Sequence, residues 1–144
     1  MVDVIQVLSK KVATMDVRVQ TLIDFMQQNL DNGKRLGLPE MARIVGLSVS
    51  RFRCLFAIET GISPKAFLRK LRLTRAKDLL AEDRLSIDEV AMKLGWQDRS
   101  HFERRFKQLH GMTPARYRNR ERSKFLSNHL NNHNGHSADR TAIG

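Results

Sequence analysis

The chain contains few cysteine, proline and aromatic residues and no long apolar run. Each of these shortages excludes a class of protein. A single cysteine among 144 residues rules out an internal disulfide and any multi-cysteine zinc site. Three prolines and an aromatic content of 6% fit a helical protein better than a β-sandwich. No apolar run approaches the roughly 18 residues of a membrane span, and the N-terminus shows no signal-peptide pattern. The sequence therefore predicts a cytoplasmic protein without a membrane partner.

Acidic residues are too few to balance the basic ones. Lys and Arg number 26 against 15 Asp and Glu, which gives a formal net charge of +11. Such an excess indicates a polyanionic partner, nucleic acid first and an anionic membrane surface second. The membrane surface is disfavoured because the basic faces lie on short capped helices without a broad apolar face left over. No phosphate-binding glycine loop, nucleophile elbow or catalytic carboxylate pair is present, so neither an enzyme nor a cofactor is predicted. His129, His133 and His136 have helical spacing, but their Asn-rich flanks indicate an accidental cluster, and no metal site is expected.

Helix start and stop signals divide the chain from about residue 17 into short helices. Serine, aspartate and proline favour helix N-termini, and glycine favours the position after a helix. The predicted starts are Asp16, Pro39, Ser48, Ser63 with Pro64, Ser86 with Glu89, Asp98, and Thr113 with Pro114. The last helix is expected to be short, and residues 123–144 to be disordered. Residues 1–16 fit either a helical face or an alternating strand, and the pattern leaves both open.

An internal repeat relates the two halves of the chain. Residues of the first half recur 49 or 50 residues later with the same or a similar side chain. The pairs are Glu40/Glu89, Ala42/Ala91, Gly46/Gly95, Ser50/Ser100, Phe52/Phe102, Phe56/Phe106, Gly61/Gly111, Pro64/Pro114 and Phe67/Tyr117. Each copy describes two helices joined by a tight turn. The prediction is an all-α fold with two tandem helix-turn-helix units, homeodomain-like in their three-helix form, over about 38–60 and 86–110. A linker helix over about 64–81 joins them.

The second helix of each unit has an aromatic face and a polar face. At about 100° per residue, Phe52, Leu55 and Phe56 share the packing face of the first helix. In the second unit, the packing face holds Phe102, Phe106 and Leu109, and the residues predicted to face away are Ser100, His101, Arg104, Lys107 and Gln108. A helix about 10–12 Å across fits the DNA major groove, where outward side chains meet base edges and phosphates.

Three segments resemble the DNA-binding domain of the AraC/XylS family of bacterial transcription regulators. "LPEMARIVGLSVSRFRCLF" resembles the first helix-turn-helix unit, and "PKAFLRKLRLTRAKDLL" resembles the linker helix. "SIDEVAMKLGWQDRSHFERRFKQLHGMTPARYR" resembles the family signature, and the match runs from about Val17 to Arg118. The resemblance implies seven helices and two recognition helices in successive major grooves on one face of double-stranded DNA. It also implies activation through RNA polymerase.

The resemblance assigns candidate DNA-binding residues to both recognition helices. They are Ser48, Ser50, Arg51, Arg53 and Cys54 in the first, and Arg99, Ser100, His101, Arg104 and Arg105 in the second. Arg104 suits a guanine, whereas Cys54 departs from the pattern and either packs on a thymine methyl or reads nothing. Glu103 could accept a hydrogen bond from cytosine. Two further basic sets contact phosphate or are simply solvated: Lys65, Arg69, Lys70, Arg72 and Arg75, and Arg116, Arg118, Arg120, Arg122 and Lys124.

Several alternatives stay open from the sequence. Only about 16 residues precede the predicted domain of residues 17–122, which is too few for a ligand pocket. The chain is therefore expected to be either a stand-alone DNA-binding protein or a piece of a longer regulator. Binding as a monomer is expected, and dimerisation through residues 1–16 is the alternative. The competing functions are a non-specific architectural DNA-binding protein and a protein-interaction module lacking its effector domain.

Overall fold

The computed structural model describes residues 15–137, and this part of the chain is built from seven α-helices without a β-strand. The helices are α1 (Val17–Gln28), α2 (Leu38–Val45), α3 (Val49–Thr60), α4 (Pro64–Glu82), α5 (Ile87–Lys93), α6 (Arg99–His110) and α7 (Pro114–Ser137). A short 3-10 helix, Leu30–Asn32, follows α1. The all-α prediction is confirmed. The alternatives for residues 1–14 lie outside the described residues.

Side-chain caps fix where the helices begin. Ser48 accepts a hydrogen bond from the backbone N–H of Arg51, and Ser63 accepts one from that of Ala66. Ser86 and Glu89 form the reciprocal capping box that the sequence predicts. Such caps satisfy backbone donors that have no partner inside the helix. The helix starts that the sequence predicts at Ser48, Ser63 and Ser86 are therefore confirmed.

Two separate hydrophobic cores fill the two units, and α4 contributes to both. The first core takes residues from α1, α2, α3 and the N-terminal part of α4, including Phe67 and Leu68. The second takes residues from α5, α6, α7 and the C-terminal part of α4, including Ala76 and Leu80. The 19 residues of α4 span about 28 Å at 1.5 Å per residue. One continuous helix thus sets the distance between the two units.

The turn after α1 braces the two units against each other. Leu30 packs against both cores, and the backbone N–H of Gly33 donates to the carbonyl oxygen of Lys93 at 2.9 Å. Gly33 has a positive φ of 67°, and a Cβ there would lie 3.2 Å from the carbonyl oxygen of Met92. On the same turn, Asp31 forms a salt bridge of 2.8 Å with Arg75 of α4. Leu30 and the Gly33–Lys93 hydrogen bond thus connect the first unit directly to the second, and the Asp31–Arg75 salt bridge fixes the same turn to the linker helix.

The Asp31–Arg75 salt bridge makes stability depend on acid pH. Hydrogen bonding to Arg75 lowers the pKa of Asp31, so the folded state favours the carboxylate. Asp31→Asn is expected to reduce the free energy of unfolding by no more than about 1 kcal/mol, because both side chains are about a third exposed. The loss is present above the unfolded pKa of about 3.9 and disappears as the pH falls through the lower folded-state pKa. Urea unfolding of both proteins between pH 7 and 3 measures it, and a difference that is independent of pH would contradict it.

The last helix is longer than the sequence predicts. The sequence predicts a short helix and disorder from residue 123, whereas α7 runs for 24 residues to Ser137. Beyond the second core, local bonds along the helix surface support it. Lys124 pairs with Glu121 at 3.1 Å, and the hydroxyl of Ser123 donates to the carbonyl oxygen of Asn119 at 3.0 Å. None of the described helices is long and apolar enough to cross a membrane.

Candidate nucleic-acid interface

The first recognition helix, α3, is held by its phenylalanines and exposes its polar face. Phe52 and Phe56 are fully buried, and the Phe56 ring packs edge-on against Phe67 of α4 with centroids 5.3 Å apart. The predicted packing face is confirmed for both rings, and Leu55 is partly buried beside them. All candidate DNA-binding residues of this unit are exposed on the outward side: Ser48, Ser50, Arg51, Arg53 and Cys54.

The second recognition helix, α6, repeats this arrangement. Phe102 and Phe106 are fully buried, and Phe106 packs against Tyr117 of α7 with centroids 5.8 Å apart. Arg99, Ser100, His101 and Arg104 are exposed, whereas Arg105 is half-buried. The side chain of Arg105 donates to His101 at 3.4 Å. The outward face of α6 is therefore polar and basic like that of α3.

Leu109 does not belong to the packing face of α6, contrary to the prediction. It keeps 36% of its surface exposed, and the half-buried His110 packs there instead. The His110 ring lies 4.5 Å from the Phe106 ring, and its Nε2 donates to the carbonyl oxygen of Leu73 at 2.9 Å. Burial lowers the pKa of His110. The position at the end of the predicted helix gave no sign of this contact, which joins α6 to a residue 37 positions away on α4.

The arginines on the recognition helices differ in whether their side chains bond to other residues of the protein. Arg99 bonds to Asp88 at 3.0 Å and to Glu103 at 2.9 Å, and both acids raise its pKa. In the described part of the chain, the guanidinium groups of Arg51, Arg53 and Arg104 form no hydrogen bond or ion pair. These three side chains are consequently free to bond a ligand. The ion pair between Arg99 and Glu103 has to break before either side chain can bond a ligand.

Two of the arginines on the linker helix that are predicted to contact phosphate also bond within the protein. Arg75 pairs with Asp31, and Arg72 donates to the carbonyl oxygen of Lys34 at 3.0 Å. Lys65 is exposed and Arg69 is half-buried. The prediction for Arg75 is therefore poorly supported, because its charge is already balanced by a carboxylate.

Two arginines of the C-terminal basic run also bond within the protein. Arg122 forms two hydrogen bonds with the carboxylate of Asp83, at 2.9 and 2.8 Å. Arg118 donates to the carbonyl oxygen of Leu85 and lies 3.4 Å from Asp83. Asp83 itself ends α4 with a positive φ of 56°. These bonds tie α7 to the end of the linker helix, so part of the run has a structural role.

No group of three or more His, Cys, Asp or Glu side chains among the described residues could hold a metal ion. Of the three C-terminal histidines, the side chains of His133 and His136 lie outside the described residues. The ring of His129 stacks on Phe125 with centroids 4.2 Å apart.

Two braced helix-turn-helix units with exposed basic recognition helices define a DNA-binding domain. A family model described as a helix-turn-helix domain matches residues 41–120, which is more than half of the chain. The chain belongs to the AraC-type helix-turn-helix family of DNA-binding transcription regulators. This family consists of regulators rather than enzymes, which confirms that prediction.

Individual relatives agree with this assignment. The chain is 34% identical over 109 residues to the probable transcriptional regulator LumQ of Photobacterium leiognathi, covering 75% of this chain and 42% of LumQ. The chain spans less than half of the length of the curated relatives it matches. The C-terminal domain of AraT, a response regulator from Geobacillus stearothermophilus, superposes with a TM-score of 0.68 at 26% identity, covering 74% of this chain and 87% of that one. The DNA-binding domain of AdpA, solved with a target DNA, shares the fold with a TM-score of 0.70 at 24% identity, covering 76% and 96%.

Proposed function

We propose that this chain is a sequence-specific transcription regulator that reads two successive major grooves with α3 and α6. The observation that carries the proposal is the repeated orientation of these helices. In each, a buried pair of phenylalanines faces the core and the candidate base-reading side chains face solvent. Contacts of the turn after α1 add to the linker helix in holding the two units together. A braced pair of this kind presents both helices to one face of a duplex.

Individual side chains are assigned roles from their chemistry and freedom. Arg53 and Arg104 are exposed and have no partner among the described residues, so each can bond a guanine through two hydrogen bonds. Arg51 is equally free, and near the start of α3 it suits a backbone phosphate. Ser50 and Ser100 tolerate several bases. Cys54 offers an apolar surface to a thymine methyl group.

The proposal includes partners and organisation. Residues 17–122 form the DNA-binding domain, one chain binds one site as a monomer, and the bound regulator acts through RNA polymerase in the cytoplasm. Tandem units within one chain are not related by a two-fold axis, which favours a non-palindromic site. Residues 1–16 supply the dimer contact if the regulator proves to be dimeric.

Substitution of Arg104 separates sequence-specific from non-specific binding. Arg104→Ala is expected to weaken binding to a duplex selected from a random pool by about 1–3 kcal/mol and to relax the preference at one base pair. On a random duplex the same variant should lose much less affinity. Equilibrium binding of wild type and variant to both duplexes, at one salt concentration, measures the difference.

Arg51→Ala is the matched control, because Arg51 is also an exposed arginine whose side chain bonds to none of residues 15–137. A phosphate contact positions the protein without reading bases, so its loss should weaken both duplexes alike. It should also reduce the slope of log K against log salt by about 1. If Arg104→Ala behaved in the same way as Arg51→Ala, α6 would contact only the backbone and the architectural alternative would be favoured.

A further inference from the structure

A cleft of about 620 Å³ opens between the two units on the side of the linker helix. One wall is formed by Lys65, Arg69 and Arg72 of α4, with Arg35 from the loop before α2. The opposite wall is formed by the turn from Gly95 to Asp98 and by His101 of α6. The cleft is therefore lined by four permanent cations and belongs to neither recognition helix alone.

The side chains of Arg72 and Trp96 are half-buried in the wall of the cleft. The Nε of Arg72 and the indole Nε1 of Trp96 are inaccessible to solvent and make no hydrogen bond with the described residues. Arg72 is held in place by the carbonyl oxygen of Lys34 and by Gly95, where an added Cβ would lie 3.2 Å from the guanidinium carbon. The glycine thus allows the guanidinium to lie at the cleft wall.

Positive charges in and beside the cleft repel one another. Burial and the charge of Arg35 lower the pKa of Arg72, and burial and the charge of Arg105 lower the pKa of Arg69. Among the described residues lining the cleft, Asp98 is the one acid, and its carboxylate already accepts from the backbone N–H of Ser100. A bound anion would relieve this repulsion.

The cleft lies between the two surfaces that are proposed to face DNA. His101 links it to the outward side of α6. At the other end, Lys65 follows Pro64, which borders a groove along Ser50, Arg53 and Cys54 of α3. The linings of the cleft and of this groove thus include consecutive residues of the chain, Lys65 and Pro64.

We propose that this cleft is a phosphate-binding site, in which the positive charges of Arg35, Lys65, Arg69 and Arg72 neutralise the phosphate and the Trp96 ring lies in the wall beside it. The phosphate has two possible sources, a backbone phosphate of the DNA between the two major grooves or a small phosphate-bearing molecule. In the first case the inference rests on the proposed function. In the second it does not need DNA.

Trp96 reports directly on occupancy, because it is the one tryptophan of the chain. Inorganic phosphate is titrated against the full chain at constant ionic strength, with chloride as the replaced anion, while Trp96 emission is recorded. A saturable change is expected for wild type and is expected to be lost in Arg69→Gln. Arg43→Gln is the matched control, since Arg43 is an exposed arginine of α2 outside the cleft, and it should respond like wild type.

A second arm identifies the DNA source. Single neutral methylphosphonate linkages are placed between the two sub-sites of a duplex selected from a random pool. One such linkage should weaken wild-type binding about tenfold, the size of one charge-assisted hydrogen bond, and should cost Arg69→Gln nothing more. Arg43→Gln should lose as much as wild type.

Each combination of results decides the question. Coupling between Arg69 and a neutral linkage identifies the DNA backbone as the source, whether or not free phosphate changes the emission. An emission change without such coupling identifies a small phosphate-bearing molecule. If neither is seen, the site is overturned. Discrimination between bases by Arg104 is measured separately, on unmodified duplexes. Loss of the phosphate site would therefore leave the proposed function unaffected.

Discussion

Truncation of Phe106 to alanine is expected to reduce the free energy of unfolding by about 3–5 kcal/mol. The ring is fully buried and lies between Phe102, His110 and Tyr117, with centroids 5.9, 4.5 and 5.8 Å away. Removing it leaves a cavity that fixed neighbours cannot fill. A domain of this size has about 5–15 kcal/mol in total, so much of the second unit should unfold at 37 °C. Denaturant melts measure the change.

Two further variants give this experiment its controls. Phe56→Ala removes the equivalent buried ring of the first unit and should cost a similar amount. Phe125→Ala removes a ring that is 61% exposed on α7, so it should change stability by no more than about 0.5 kcal/mol. Equal melts for Phe106→Ala and Phe125→Ala would show that the packing face of α6 is wrongly assigned.

Insertion of five base pairs between the two sub-sites of a selected duplex is expected to abolish simultaneous binding by both units. Half a helical turn places the second sub-site on the opposite face of the DNA. The linker helix and the turn after α1 hold the units together through Arg75–Asp31 and Gly33–Lys93, so the protein cannot follow. Affinity should fall to that of one unit on its half-site. Titration of wild type with the two duplexes measures the loss.

Insertion of ten base pairs is the control for this phasing. It returns the second sub-site to the same face of the DNA as the first. It also moves the two sub-sites apart by a further helical turn of about 34–36 Å, which exceeds the roughly 28 Å length of α4. A braced protein should therefore gain little from the restored face. Recovery of full affinity with ten base pairs would show that the two units separate readily, and indifference to five would contradict two-groove binding.

The sequence predicted the parts of the fold that depend on neighbouring residues. Ser48, Ser86 and Asp98 cap helices because a cap needs only a side chain and a backbone N–H two or three residues away. The buried faces of α3 and α6 followed from the 3.6-residue period and the spacing of Phe52 and Phe56, which the repeat copies. Local chemistry was sufficient for these features.

Contacts between distant elements could not be predicted in the same way. Arg75 lies 44 residues from its partner Asp31, and His110 lies 37 residues from Leu73. Nothing in the local pattern distinguishes these side chains from solvated ones. The same holds for the cleft, which Arg35 of the first unit and Trp96 of the second line together. The length of α7 was missed for a different reason, because an Asn- and Ser-rich composition favours disorder while ion pairs along its surface support the helix.

The DNA-binding roles of the recognition-helix residues stay predictions, which the binding measurements on Arg104→Ala and Arg51→Ala test. The structure exposes nine of the ten candidates and leaves Arg105 half-buried. It also shows that Arg99 is held by Asp88 and Glu103. Among the arginines, Arg53 and Arg104 are consequently the stronger candidates for base recognition.

Interference footprinting of one selected duplex, combined with the stoichiometry of the complex, tests two-groove reading by one chain most directly. The account predicts two different sub-sites in successive major grooves, about one helical turn apart on the same face, with one chain bound per duplex. Arg104→Ala should remove interference at one base pair of one sub-site and leave the other unchanged. A palindromic footprint that requires two chains, or interference confined to a single groove, would contradict the account.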